Sequence, residues 1–322
     1  MEYRRIGKTD VKVSEISLGC WTLGGLNWVN GSPNGWANVD EGEATRAIDW
    51  AIEKGVNHFD NADVYGNGRA EQLLGRALGA RSTQMVIASK VGHFPGTAAH
   101  AYEAAHVRHQ CEQSLINLKR EYIDIYYFHH GDFGPEDRYL DGALETVNKL
   151  RQEGKIRVLG LSAYSEKDFV RLVPKISPDV LQSWAHAMDD HFIRPGSPVR
   201  KLLEERGMSF VTFSPLNQGI LLDKFDPENP PQFEAGDHRR GGAKFTREEL
   251  LKLKPKLAKL KERFGSTTQD LVRVALQYLL HEPVVCCAIP GFRNLSQVQT
   301  NLAAEGKPLN DADIAFVRQA LA

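Results

Sequence analysis

Four side chains able to do acid–base chemistry fall at or just beyond the ends of β-branched runs. They are Asp60 and Tyr65 in FDNADVYG (59–66), Lys90 in ASKVG (88–92) and His129 in IDIYYFHH (123–130). Singly, each has a structural reading: Asp60 as a turn cap, Lys90 as a solvated strand end, Tyr65 as a rim aromatic, His129 as a hydrogen-bonded core residue. Brought to one place, they form a chemistry. A phenol with an ordinary pKa of about 10 is a poor acid at neutral pH. A neighbouring ammonium favours the ionised form and lowers that pKa, and Asp60 would keep Lys90 charged and oriented. With His129 bonding the same substrate oxygen, the set can protonate and stabilise an oxyanion developing on a carbonyl. That is what hydride reduction needs, so a nicotinamide site is expected as well. Lys90 as the Schiff-base nucleophile of a barrel isomerase or aldolase is a rival, opposed by the carboxylate that keeps the amine protonated.

These residues converge only if their strands lie side by side. Candidate strands are 16–20, 56–60, 85–90, 123–129, 156–162, 179–182, 209–214 and 284–289. Helix-period segments separate them: Ala44, Ala47, Ile48, Ala51 and Ile52 before Gly55; Val107, Cys111, Leu115 and Leu118; and Leu140, Leu144, Val147 and Leu150 before Gly154. Thr246 with Glu249 reads as a capping box ahead of Leu250, Leu253, Leu257 and Leu260. Eight strands alternating with helices predict a parallel sheet closed into a (β/α)8 TIM barrel, whose active site lies at the strand C-terminal ends. An open doubly wound sheet is the alternative. The chain of 322 residues shows no compositional break and reads as one domain, 1–322, ending in an amphipathic helix over 310–321. Residues 2–13, with a turn near Gly7–Asp10, predict an N-terminal β-hairpin that plugs the barrel floor. Residues 217–245 are rich in Gly, Pro and Asp and too long for a routine connection, so they are expected to cover a bound cofactor. Lys224, His238, Arg239, Arg240 and Lys244 within them could meet phosphate charge.

Composition narrows the partners. Forty basic against 41 acidic residues give a net charge of −1, no basis for nucleic acid or anionic lipid as the main partner. No apolar run approaches the roughly 20 residues of a membrane span, and MEYRRIGKTD lacks a signal-peptide core, so a cytoplasmic protein is expected. Cys20, Cys111, Cys286 and Cys287 follow no disulfide or CxxC spacing and read as buried thiols. Gly7-Lys8-Thr9 lacks the earlier glycine of a P-loop, and Gly66-Asn67-Gly68 lacks the third glycine of a Rossmann fingerprint. His129, His130 and Asp132 could suggest a metal hydrolase, but the first strand supplies Gly19-Cys20-Trp21 instead of histidines, so no metal is expected.

Over nearly its whole length the chain resembles an aldo-keto reductase. The matching segments are LGCW (18–21), FDNADVYG (59–66), ASKVG (88–92), IDIYYFHH (123–130), GLSAYS (160–165), FSPLNQGIL (213–221) and IPGFRNLSQVQTN (289–301). The resemblance places the family's catalytic tetrad on Asp60, Tyr65, Lys90 and His129, and implies reduction of aldehydes or ketones by NADPH, with NADH less favoured. Ser162 and Gln182 would hold the nicotinamide carboxamide, Phe213 would stack on the ring, and Cys20 and Trp21 would lie near it. Ser214, Leu216, Gln218 and Gly219 would line the pyrophosphate path. Gly291, Phe292 and Arg293 would meet the adenosine phosphate, with Gln297 and Asn301 nearby. Asn61, Ala163, Gly291, Gln297 and Thr300 depart from residues common in the family and place the chain among branches with an IPG-type turn. Trp21, Trp28, Tyr65, Phe94, His129 and His130 are the expected substrate contacts, with Trp36 and Trp184 on the same loops; an aromatic wall of this kind suits a hydrophobic or sugar-like carbonyl. A cofactor-sensing regulatory subunit of the same fold is the non-enzymatic alternative, and turnover of a simple aldehyde separates the two.

Overall fold

The computed structural model describes residues 1–322. Strands β1 (Tyr3–Arg5) and β2 (Lys12–Ser14) form the antiparallel hairpin, with Tyr3 opposite Ser14. Gly7 turns it with φ +50°, and a Cβ there would come within 2.5 Å of the Asp179 carbonyl oxygen, so only glycine fits. The apolar side chains of the hairpin, Ile6, Val11 and Val13, are buried against Tyr127, Val158, Val180, Val211, Cys286 and Cys287. The hairpin is therefore the hydrophobic plug of the barrel floor.

The barrel strands are β3 (Leu18–Gly19), then, after a small ribbon of β4 (Trp28–Val29) and β5 (Ser32–Pro33), β6 (His58–Asp60), β7 (Val86–Val91), β8 (Ile123–Phe128), β9 (Ile156–Ser162), β10 (Val180–Trp184), β11 (Ser209–Phe213) and β12 (Val285–Ile289). Each pairs in parallel with its sequence neighbour from β6 to β12, and β3 pairs with β6. Closure comes from parallel bridges Ile16 to Ala288 and Gly19 to Gly291, sealed by Ser17 N donating to Ala288 O at 2.9 Å and Gly19 N to Pro290 O at 3.1 Å. These β-branched runs fall within a residue or two of the expected spans, except that regular pairing of the first strand shrinks to two residues. Inside the barrel, Tyr127 lies over Gly160, where a Cβ would sit 2.2 Å from the ring.

Ten helices surround the strands: α1 (Glu41–Glu53), α2 (Arg69–Leu78), α3 (Ala104–Leu118), α4 (Leu140–Gln152), α5 (Glu166–Ile176), α6 (Pro198–Arg206), α7 (Arg247–Phe264), α8 (Thr268–Leu280), α9 (Leu295–Leu302) and α10 (Asp311–Leu321). The i, i+3, i+4 spacing fixes their buried faces, for example Ala44, Ala47, Ile48 and Ala51 on α1. The capping box expected at Thr246 is only half made. The Thr246 hydroxyl accepts from Glu249 N, but the Glu249 carboxylate turns to Lys252 at 2.7 Å. Complete boxes occur instead at Thr267 with Asp270 and Asn310 with Asp313, where the shorter aspartate reaches back to the cap.

The 217–245 stretch is held by polar staples as much as by apolar anchors. Gly35 N donates to Gly236 O at 2.9 Å, His238 N to Gly35 O at 2.8 Å, and Ala37 N to Asp237 Oδ2 at 3.1 Å. Asp237 is fully buried and takes two hydrogen bonds from the Arg239 guanidinium, which lies over the rings of Trp36 and Phe233. The stretch thus crosses to the loop after β3 and ties the two together.

Candidate active site

Three strand ends and one loop bring the four chemical residues together. Asp60 closes β6 and Lys90 lies near the end of β7, both buried; His129 follows β8, and Tyr65 sits in the loop after β6. Lys90 Nζ donates to Asp60 Oδ1 at 2.5 Å, to the Asn61 carbonyl at 2.7 Å and to Tyr65 Oη at 3.2 Å. An ammonium has three N–H donors, and all three are spent. Three partners around the nitrogen, one of them a carboxylate, oppose the Schiff-base reading. Asp60 Oδ2 accepts from Gln182 Nε2 at 2.7 Å, so the carboxylate is held at both oxygens.

The electrostatics differ from the expectation in one respect. Burial first, and the Asp60 charge second, push the Tyr65 phenol well above its ordinary value. Lys90 lies against both Asp60 and the phenol, so the two charges act on Tyr65 in opposite senses. Tyr65 is consequently a protonated phenol throughout the physiological range. Since Lys90 can only donate, the phenolic proton is not used in that contact and is available to the cavity. His129 is held well below its usual value by burial and by His93, and so is neutral. Its ring is 5.9 Å from that of Tyr65, which stacks on Trp21 at 6.0 Å.

A cavity of about 970 Å³ opens over these groups. Its wall includes Trp21, Asp60, Tyr65, His129, Gln182, Phe213, Ser214, Leu216, Gln218, Gly219, Gly291, Arg293, Gln297 and Asn301, all singled out from the sequence. Lys90 lies behind the wall and acts only through Tyr65. Ser162 is buried at the end of β9, paired with Gln182 in register, and its Oγ has no partner.

Other expected contacts lie elsewhere. Cys20 and Phe292 are fully buried behind the wall, and Phe292 meets Thr22 through its main chain. Trp28 is half exposed and covers Gly236. Phe94 offers its carbonyl to His106 at 2.6 Å, and His130 spends Nε2 on the Gly92 carbonyl at 2.6 Å. None of these five lines the cavity. In their place the wall holds His93, Tyr164, Trp184, His186, Asn217 and His238, and the cations Lys224, Arg239 and Lys244.

Those cations mark one arm of the cavity. Lys224 and Lys244 are pulled below their usual values by burial, and Arg293 by burial and Arg239. Arg293 also donates to the Ala37 carbonyl at 2.6 Å, while Gln297 accepts from its main-chain N. The only carboxylate in the wall is Asp60, already engaged by Lys90. Arg239 is paired with Asp237, but Lys224, Lys244 and Arg293 have no carboxylate partner, so this arm carries a net positive field and suits a polyanion. Lys224 and Lys244 could be suspected from the charges of the long loop; His93 and His186 carried no sequence signal beyond their type.

Known proteins are similar to this chain over nearly its whole length. The chain resembles a Bacillus subtilis oxidoreductase, YqkF, at 28% identity over 98% of this chain and 94% of the relative. L-galactose dehydrogenase of Arabidopsis thaliana is 27% identical over 94% of this chain and 88% of that protein. Among solved structures, the glycerol dehydrogenase AKR11B4 of Gluconobacter oxydans superposes with a TM-score of 0.80 at 26% identity, covering 99% and 95% of the two chains. The aldo/keto reductase family model matches residues 15–322, and the chain accordingly belongs to the aldo/keto reductase family of oxidoreductases.

Proposed function

We propose that the protein reduces small aldehydes or ketones to alcohols with NADPH, in the cytoplasm. The observation that carries this reading is the Lys90 ammonium: its three donors are fixed on Asp60, Asn61 and Tyr65, leaving the Tyr65 proton for the cavity. The residues present fit a nicotinamide dinucleotide. The orphaned Ser162 Oγ and the free carbonyl end of Gln182 match a carboxamide, Phe213 offers a flat face, and Lys224, Lys244 and Arg293 match phosphates. When bound, the dinucleotide supplies the hydride that the carbonyl carbon accepts.

The chain's own residues do the rest. Tyr65 Oη gives its proton to the substrate oxygen as negative charge develops there, and Lys90 donates to the phenolate left behind. Asp60 keeps Lys90 charged and fixed. Neutral His129 lies beside the same oxygen and can donate a hydrogen bond to it without repelling Lys90. Trp21 packs against Tyr65 and restricts its ring. Arg293 would grip a 2′-phosphate, a group absent from NADH. Residues 217–245 would fold over the dinucleotide from their base at Ser214–Gly219.

The relatives named for glycerol and L-galactose act on polyhydroxylated compounds, which favours a similar substrate for this polar wall. Loss of NADPH absorbance with a panel of aldehydes, ketones and sugars tests the proposal. Steady turnover of at least one is expected, and dinucleotide binding with no turnover across the panel would leave the cofactor-sensing reading in its place.

A further inference from the structure

Beside His129, two polar rings are hydrogen-bonded to each other and have no role so far. His93 Nε2 lies 3.0 Å from Tyr164 Oη, and Tyr164 has no other side-chain or main-chain partner. The His93 ring is 4.4 Å from that of His129, and Tyr164 stands edge-on to Phe213 at 6.2 Å while stacking on Trp184 at 6.3 Å. Both His93 and Tyr164 line the cavity. The pair therefore borders the space where a substrate must lie if its carbonyl is to reach Tyr65 and His129.

The direction of the His93–Tyr164 hydrogen bond decides what the pair can recognise. Burial, with His130 and Lys90 nearby, pulls His93 down to about 4, so its ring is neutral and carries one N–H. The His129 carbonyl beside the ring favours the tautomer whose N–H faces it. In that tautomer Nε2 is bare and the Tyr164 hydroxyl is the donor. Its oxygen lone pairs are left facing the cavity with nothing to accept from. A wall with a spare acceptor beside the reacting oxygen prefers a substrate that brings a donor.

We propose that Tyr164 Oη, oriented by His93, is a specificity-determining acceptor for a substrate hydroxyl close to the carbonyl, so that the preferred substrates are α-hydroxy aldehydes and ketones. This rests on the carbonyl-reductase reading above and names its substrate class. Tyr164 meets the substrate, and His93 is a positioning residue that fixes which way the phenol points. An aldehyde of equal length without the hydroxyl leaves the acceptor unpaired and gains nothing from it.

The test compares glyceraldehyde with propanal, both three-carbon aldehydes, by NADPH consumption. Tyr164→Phe removes only the oxygen of a ring that is 40% exposed, so folding is not at stake. Its kcat/KM for glyceraldehyde should fall roughly 3–10-fold, the worth of one neutral hydrogen bond, with propanal unchanged. His93→Leu should show the same split, and His93→Gln, whose amide oxygen can take the phenolic proton, should restore much of it. Equal losses for both aldehydes, or no loss for either, would overturn the hydroxyl acceptor while leaving carbonyl reduction standing. Wild-type protein that consumes NADPH with neither aldehyde overturns carbonyl reduction and this inference together.

Discussion

The two ends of the barrel solve opposite problems with the same eight strands. At the floor, Ile6, Val11 and Val13 close the opening with apolar surface against Val158, Val180 and Val211. At the mouth, Asp60, Lys90 and His129 are just as buried yet charged or polar, and Ser162, Asn61 and His129 keep polar atoms without partners. Burying such atoms costs roughly 1–3 kcal/mol each. Apart from the unpartnered Tyr127 Oη and His58 Nε2, the floor gains stability from burial, while the mouth gives some of it up to hold groups in readiness for a ligand. Substitutions at the floor should therefore change stability alone, and those at the mouth should change rate or affinity.

The strongest test of that contrast is Tyr65→Phe. It should cut kcat for carbonyl reduction by about 10²–10⁴-fold while thermal stability and dinucleotide binding stay close to wild type. Retention of more than half the activity would remove Tyr65 from the acid role. At the other end, Ile6→Ala should lower unfolding free energy by about 2–5 kcal/mol, read by denaturant titration, with kcat per folded molecule unchanged. A comparable loss of kcat would show that the plug and the mouth are coupled.

Acid should act on stability at both ends together. His58 near the floor and His93 and His186 at the mouth are each held near 4 by burial, against an unfolded value of about 6.5. Between those values the unfolded chain binds protons that the native one does not, so stability is intact above about pH 6.5 and is lost as pH falls towards 4. Calorimetric melting temperatures should decline steadily over that window; a flat profile would mean these rings are already charged in the native state. Smaller still, Arg293→Ala should weaken NADPH binding by about 1.5–3 kcal/mol and NADH binding little, measured by fluorescence titration. Equal losses would make Arg293 a structural tie to Ala37 instead of a phosphate contact. The subtlest change should be in residues 217–245, whose amide exchange should slow when NADPH is added. Exchange unaltered at saturation would mean the staples to Gly35 and Ala37 already fix the segment.

The sequence revealed most of what regular geometry controls. β-branched runs located every barrel strand, helical periodicity located α1, α3, α4, α7 and α10 but left α2, α5, α6, α8 and α9 unmarked, and strand-end positions picked out Asp60, Lys90 and His129. It failed where one residue of shift reverses a side chain. Trp21 lines the cavity but Cys20 does not, and His129 does but His130 does not. Successive residues leaving a strand point to opposite sides, and matching a segment by its letters does not say which of the two faces inward. It failed also where the partner is distant in the chain. His93 becomes meaningful only beside Tyr164, 71 residues away, and Asp237 only beneath Ala37.

The seam between β3 and β12 sets a timetable for the chain. The bridges that close the barrel join Ile16 to Ala288 and Gly19 to Gly291, and Arg4 in the plug donates to the carbonyls of Leu280 and Val285. A ribosome has therefore delivered nearly the whole protein before its first strand can find a second neighbour or its hairpin a complete seat. Until then the apolar face of the plug stays in water, in the slow, non-local regime where unfinished chains depend on chaperones or meet each other.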